Sequence, residues 1–167
     1  MDALELLKHD HDNVKALFKE FAGLGERAVK SKAEICQQIC KELSVHAEIE
    51  ETVFYPRVRE AGKQEKDEVL EGLEEHQLIK ELVGELESMR PEDETFDAKV
   101  KVLIEQVEHH VKDEETEMFP LVRKVMPKAE LVALGAELQA AKAALNGELQ
   151  GHASMSAARP RDGARKQ

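Results

Sequence analysis

Apolar residues step along this chain at intervals of three and four. From the N-terminus they fall at Leu4, Leu7, Val14, Leu17, Phe18 and Phe21, which is one face of an α-helix. Gly23 and Gly25 end that stripe. Ser31, with Glu34 three residues on, reads as a capping box that opens a second helix. That helix carries Ile35, Ile39, Leu43, His46, Glu50 and Val53; Pro56 should kink or end it, and Gly62 closes it. A third helix from near Lys66 carries Val69, Leu73, His76, Ile79, Leu82, Val83 and Leu86, and Pro91 marks the next turn. A fourth carries Phe96, Val100, Leu103, Val107, His110, Glu114 and Phe119, with a bend expected at Pro120 and a break at Met126-Pro127. Leu131, Leu134, Leu138, Ala141, Leu145 and Leu149 then form one more clean stripe, a fifth amphipathic helix. The pattern predicts an all-α protein: an up-down-up-down four-helix bundle over 1–126, a C-terminal helix over 127–150, and a disordered basic tail over 151–167.

The bundle is written twice. His11-x-x-Val14-Lys15-x-Leu17-x-x-Glu20 returns as His76-x-x-Ile79-Lys80-x-Leu82-x-x-Glu85, sixty-five positions later. His46-x-x-x-Glu50-Glu51, with Pro56 ten residues after the histidine, returns as His110-x-x-x-Glu114-Glu115 and Pro120, sixty-four positions later. Two helices therefore look like a duplicate of the next two. A duplicated hairpin closes around a pseudo-two-fold axis, and residues matched by the repeat face that axis together. Positions i and i+4 of a helix lie about one turn, roughly 6 Å, apart on one face. So His46 with Glu50, and His110 with Glu114, each offer a nitrogen and an oxygen to one point, with His11 and His76 brought in by the repeat. A lone histidine on an apolar stripe is most often a core residue. Four of them with two inward carboxylates is different, because buried acids cost several kcal/mol unless paired or bound to a cation. His9 and His109 sit off these faces, and His152 lies in the tail.

Composition narrows the partners. The 167 residues are 41% hydrophobic and 35% charged, with no Trp, one Tyr and five Phe, and the net charge is −11. The tail's Arg159, Arg161, Arg165 and Lys166 against Asp162 give it +3, which leaves −14 on the body. That body repels nucleic acid and anionic membranes. No apolar run has the length of a membrane span. The N-terminus lacks the basic start and apolar middle of a secretory signal. Cys36 and Cys40 do not make a disulfide framework and fit bundle packing. A cytoplasmic protein, monomeric or weakly dimeric, with no nucleic-acid or membrane partner, is the expectation.

Histidine with bridging glutamate suits iron or manganese better than zinc. The Glu-x-x-His tetrad of ferritin-like di-iron bundles is missing, since Leu73, Leu43 and Val107 stand where its acid would be. Asp10-His11, His46-x-x-x-Glu50, Glu75-His76 and His110-x-x-x-Glu114 together resemble the hemerythrin family, specifically the bacterial hemerythrin-like HHE cation-binding domains. The likeness covers about Leu4 to Val125. It implies a four-helix bundle holding two non-heme irons joined by an oxo or hydroxo bridge. His11 and His46 would bind one iron, His76 and His110 the other, and Glu50 and Glu114 both. Oxygen carriers of the family have a second histidine on the third helix, where this chain has Lys80. A protonated lysine is no ligand, so the irons keep open positions. Tyr55 is a candidate substitute, but an ideal helix turns it about 180° from His46, which places it off the site. The expected function is binding of, and reaction with, a small oxidant (H2O2, O2 or NO), with catalase-like peroxide breakdown as the enzymatic form. The alternatives are an iron, oxygen or redox sensor, and reversible O2 binding without turnover.

Overall fold

Helix α1, Ala3–Ala22, starts on a capping box that the apolar pattern does not announce. Asp2 accepts from the Glu5 backbone N–H and Glu5 accepts from that of Asp2, both at 2.9 Å, which satisfies two donors that a helix start leaves bare. The computed structural model describes residues 1–62 and 66–157, with side chains through His152. Helix α2 spans Val29–Ile49 and α4 spans Lys66–Ser88. Helix α5 spans Phe96–Asp113, and α7 spans Lys128–Ala157. The bundle and added helix expected from the sequence are all present. α1 packs on α2, α4 on α5, and α2 on α4, while α7 lies against α1 and α2.

Three local expectations change. The second helix begins at Val29 without a side-chain cap, so Ser31 lies inside it. Its first turn is held instead by buried Lys32, whose Nζ donates to Asp97 Oδ2 at 2.7 Å. Of the kink or end expected at Pro56 and the bend expected at Pro120, the structure shows a local break in the ladder and no end. A π-helical turn, Glu50–Phe54, precedes Pro56, and the chain continues as α3, Tyr55–Ala61. Its repeat partner, Glu114–Met118, precedes Pro120 and continues as α6, Phe119–Val125. Proline has no N–H and its ring crowds the carbonyl four residues back; a widened i→i+5 turn takes up both defects. Lastly, α7 runs on through 151–157, the first part of the segment read from sequence as a disordered tail. Helix-forming Ala and Met residues there favour the extension; the rest of that segment lies outside the described residues. Among the described residues no helix is long and apolar enough to cross a membrane.

The core is split into two layers. One gathers Leu4, Leu7, Phe54, Val58, Phe119 and Val122 with Leu131, Leu134 and Leu138 of α7. The other gathers Phe18, Ile39, Leu43, Val83, Val100 and Leu103 and includes buried, unbridged Cys36 and Cys40. A polar layer separates them. Where α7 crosses the start of α1, Gly135 gives the clearance. A Cβ there would stand 2.7 Å from the Met1 carbonyl oxygen and 2.9 Å from the Ala3 nitrogen. Both are backbone atoms, so the helices themselves must part. Gly135→Ala should lose about 1–3 kcal/mol of stability despite its better helix propensity; urea unfolding checks it, and an unchanged or raised midpoint contradicts this contact.

Candidate metal centre

The polar layer is built from the six residues matched by the repeat. His11 on α1, His76 on α4 and His110 on α5 are buried, as are Glu50 and Glu114, each the first residue of a π turn. His46 on α2 has a side chain 12% exposed. One donor atom from each of His11, His46, Glu50 and Glu114 lies within 4.8 Å of the others, and Glu50, His76 and His110 gather equally closely. Glu50 belongs to both groups. Its Oε1 is 3.1 Å from His46 Nε2 and its Oε2 is 3.1 Å from His76 Nε2. Glu114 Oε2 lies 3.3 Å from His11 Nε2 and 3.8 Å from His110 Nε2. The duplicated hairpin thus yields two donor groups joined by carboxylates.

Four acids outside the layer turn the imidazoles inward. Glu115 Oε1 is 2.9 Å from His11 Nδ1, Glu51 Oε1 is 3.0 Å from His76 Nδ1, and Glu75 Oε2 is 2.6 Å from His110 Nδ1. Asp10 Oδ2 is farther from His46 Nδ1, at 3.7 Å, because Lys142 of α7 donates to its other oxygen at 2.5 Å. The order follows the repeat. The acid preceding each α1 or α4 histidine faces the histidine of the next helix, and the second acid of each π turn holds a histidine of the opposite hairpin. A carboxylate accepts the Nδ1 proton and leaves the Nε2 lone pair facing in. Those nitrogens meet in pairs, His11 with His46 and His76 with His110, each at 3.1 Å.

Two bare lone pairs at that distance repel, so each pair closes only over a shared positive charge. Without a metal, protons supply it. Burial works against the charged form of His46, yet the Glu50 and Asp10 carboxylates push its pKa up to about 10. His110 is likewise raised well above the usual histidine range: Glu50 and Glu75 outweigh its burial. The same cations hold Glu50 well below the usual carboxylate range against complete burial. Even so, both Glu50 oxygens and Glu114 Oε2 make no well-directed hydrogen bond, although imidazole nitrogens lie 3.1 to 3.3 Å away. Buried acceptors are rarely left this way, and a pair of divalent cations would satisfy these three atoms and all four Nε2 lone pairs. The donor set fits metal ions, and its imidazole–carboxylate chemistry suits iron.

Tyr55 is at the site, contrary to the ideal-helix placement. Its hydroxyl donates to Glu114 Oε1 at 3.0 Å and sits 3.4 Å from His76 Nε2, and its ring stacks on His76. The π turn is the reason. Tyr55 N–H bonds to the Glu50 carbonyl, five residues back, so Tyr55 lies above Glu50 instead of drifting behind His46. Phe119 occupies the matching place above Glu114 and stacks on His11. Only the Tyr55 side carries a hydroxyl. Lys80 turns outward, as its place at the rim suggests, and donates to Glu51 at 2.6 Å; Lys15 pairs with Glu115 at 3.6 Å. His9 pairs with Asn13 on the surface and His152 bonds to a backbone carbonyl of α7, both away from the layer.

A family model described as the hemerythrin HHE cation binding domain matches residues 2–122. A DNA nickase of Nostoc sp. is 30% identical over 155 residues, 92% of this chain and 43% of that protein. An uncharacterized hemerythrin-like protein of Schizosaccharomyces pombe is 27% identical over 106 residues, 63% of this chain and 52% of that protein. The chain therefore spans about half the length of these relatives or less. The crystal structure of a hemerythrin HHE cation binding domain-containing protein from Mycobacterium kansasii superposes with a TM-score of 0.76 over 89% of both chains at 22% identity, a likeness of fold. With the match running from the start of α1 into α6, this chain belongs to the hemerythrin family and carries its HHE cation-binding domain.

Proposed function

We propose that the polar layer holds two non-heme irons and that the centre binds and reacts with a small oxidant, with catalase-like breakdown of H2O2 as the reaction that fits best. His11 and His46 would hold one iron and His76 and His110 the other, with Glu50 and Glu114 shared between them. When bound, the irons supply Lewis acidity and redox equivalents. The observation that carries the reading is a cavity of about 20 Å3 against all four histidines, walled by Val14, Leu43, Ile79, Val107 and Val111. A space of that size holds about one water-sized molecule. Asp10 and Glu42 also line it, but its wall is mainly apolar, which favours an uncharged guest.

The chain's own groups then have defined tasks. Glu51, Glu75 and Glu115 fix three ring orientations, so ligand geometry does not depend on the guest. Tyr55 holds its proton, since burial and the nearby Glu114 and Glu50 carboxylates raise its pKa well above the phenolic range. Its hydroxyl is positioned to donate to Glu114 or toward His76. Neither donor group is completed by a fifth histidine, since Lys80 turns outward to Glu51, so the residues present would leave room at the metals for a small reacting guest.

Titrating the iron-loaded protein with H2O2 while recording O2 is the test. Sustained O2 release in the dismutation ratio is expected; no turnover, with a stable O2 adduct, would reverse the reading in favour of carriage. The Nostoc relative's name, DNA nickase, is not carried to this site. Glu50 is 0% exposed and His11 1%, and a duplex cannot reach them through a water-sized cavity. Plasmid nicking by the iron-loaded chain that Glu50→Ala abolishes would contradict that exclusion.

A further inference from the structure

On the solvent side of His110 a third donor group gathers. His109 Nε2 lies 3.4 Å from Glu75 Oε1 and 3.2 Å from Asp113 Oδ2. One donor atom from each of these three residues lies within 4.8 Å of the others. The His109 side chain is 60% exposed, so this group meets solvent directly. Glu75 is shared between inside and outside: one oxygen faces His109 while the other holds His110 Nδ1.

Behind the group is a second cavity, also of about 20 Å3 and richer in acids than the first. Six carboxylates line it, from Glu68, Glu71, Glu75, Asp113, Glu114 and Glu117, with no lysine or arginine. One of its acids has an unmet acceptor that the buried centre does not use: Glu68 Oε2 is buried and has no partner among the described residues. Glu114 also lines the cavity while its Oε2 faces His11 and His110, so the cavity abuts the donors of the centre. An unpartnered buried acceptor in the wall of an acidic cleft points to a cation. A cleft lined by one sign of charge also concentrates counter-ions and speeds their arrival.

We propose that Glu75, His109 and Asp113 form an outer station for a divalent cation, and that the acidic cavity behind it is the route by which the buried centre is loaded. One imidazole and two carboxylates suit a partly hydrated Fe2+ or Mn2+. The station is weak because it is exposed and offers three donors. The cavity links the two sites, since Glu75 and Asp113 of the station and His110 and Glu114 of the centre all line it. Oxidant and metal thus use different faces of the same polar layer, apolar for the guest and acidic for the ion. This division rests on the metal reading of the centre.

Fe2+ uptake by the metal-free chain, followed by stopped-flow, tests the proposal. The double variant His109→Ala/Asp113→Asn changes one exposed and one half-buried side chain, neither of them in the buried donor set. It should load about tenfold more slowly and reach the same final metal content as the unaltered chain. An unchanged loading rate overturns the route, and so does a fall in final content with no change in rate. The station is tested separately in a Glu50→Ala background, where a Mn2+ titration read by electron paramagnetic resonance should find one weak site that His109→Ala removes. Absence of that weak site overturns the station. An unaltered chain that takes up no metal would instead bring down the reading of the centre itself, and the station's Mn2+ titration would then stand or fall alone.

Discussion

Glu50→Ala should leave a folded protein that holds metal in neither half of the site. Glu50 is the residue whose two oxygens each face a different histidine pair, at 3.1 Å on both sides. Glu114 turns one oxygen inward and gives the other to Tyr55, so its loss should weaken the centre less evenly. Without metal the two effects of Glu50→Ala on stability nearly offset. A fully buried carboxylate disappears, and so do the ion pairs it makes with His46 and His76. With metal the contrast is large. A ligand at a hundredfold its Kd stabilises the folded state by about 2.7 kcal/mol. For a chain of this size that is a rise of roughly 5–10 °C in Tm. The unaltered protein should show that rise on adding Fe2+, and Glu50→Ala should show none. Elemental analysis of the purified variant should find less than one metal per chain. A variant with a full complement of two metals would remove Glu50 from the site, and with it the shared-carboxylate geometry.

Much of this was legible in the residues because a duplication leaves a correlated trace. Spacing alone put His46 over Glu50 and His110 over Glu114, and the repeat brought in His11 and His76; all six stand in one polar layer. What spacing could not carry is phase across the π turns. Dead reckoning at 100° per residue is sound until the helix widens, and it widens at Glu50 and Glu114 themselves. An ideal helix therefore puts Tyr55 behind His46, whereas the π turn sets it above Glu50. The signal was present: a proline six residues after each inward glutamate, in what must otherwise be continuous helix, asks for a local break in the i→i+4 ladder. The acids at Nδ1 were hidden for another reason. Glu115 serves His11 and Glu51 serves His76 across the bundle, and sequence distance holds no information about which of many surface glutamates lies opposite a given ring. Lys142 of α7, which draws Asp10 away from His46, lies outside the repeat altogether and breaks its symmetry.

Gly72→Ala should disturb the centre from outside, through Tyr55. A Cβ at Gly72 would stand 2.7 Å from the Tyr55 hydroxyl oxygen and 3.2 Å from its Cζ. The Tyr55 ring cannot swing away easily, since it is 1% exposed, stacked on His76 and tilted against Phe54. The new methyl must therefore push the hydroxyl off Glu114 or part α4 from α3. The first leaves a buried acceptor bare, at about 1–3 kcal/mol; the second is an overpacking cost of similar size. Tyr55→Phe alone removes the same hydrogen bond without the clash. Combined, the two changes should be less damaging than their sum, because with no hydroxyl the closest contact is gone; a coupling of about 1 kcal/mol or more is expected for groups in direct contact. Urea unfolding of the four proteins gives that coupling. The iron-loaded single variants should also share one defect in peroxide turnover, since both take the same proton donor from Glu114. Strict additivity in stability, together with full turnover in Gly72→Ala, would mean that Tyr55 only fills space beside His76 and that the hydroxyl has no part in the chemistry.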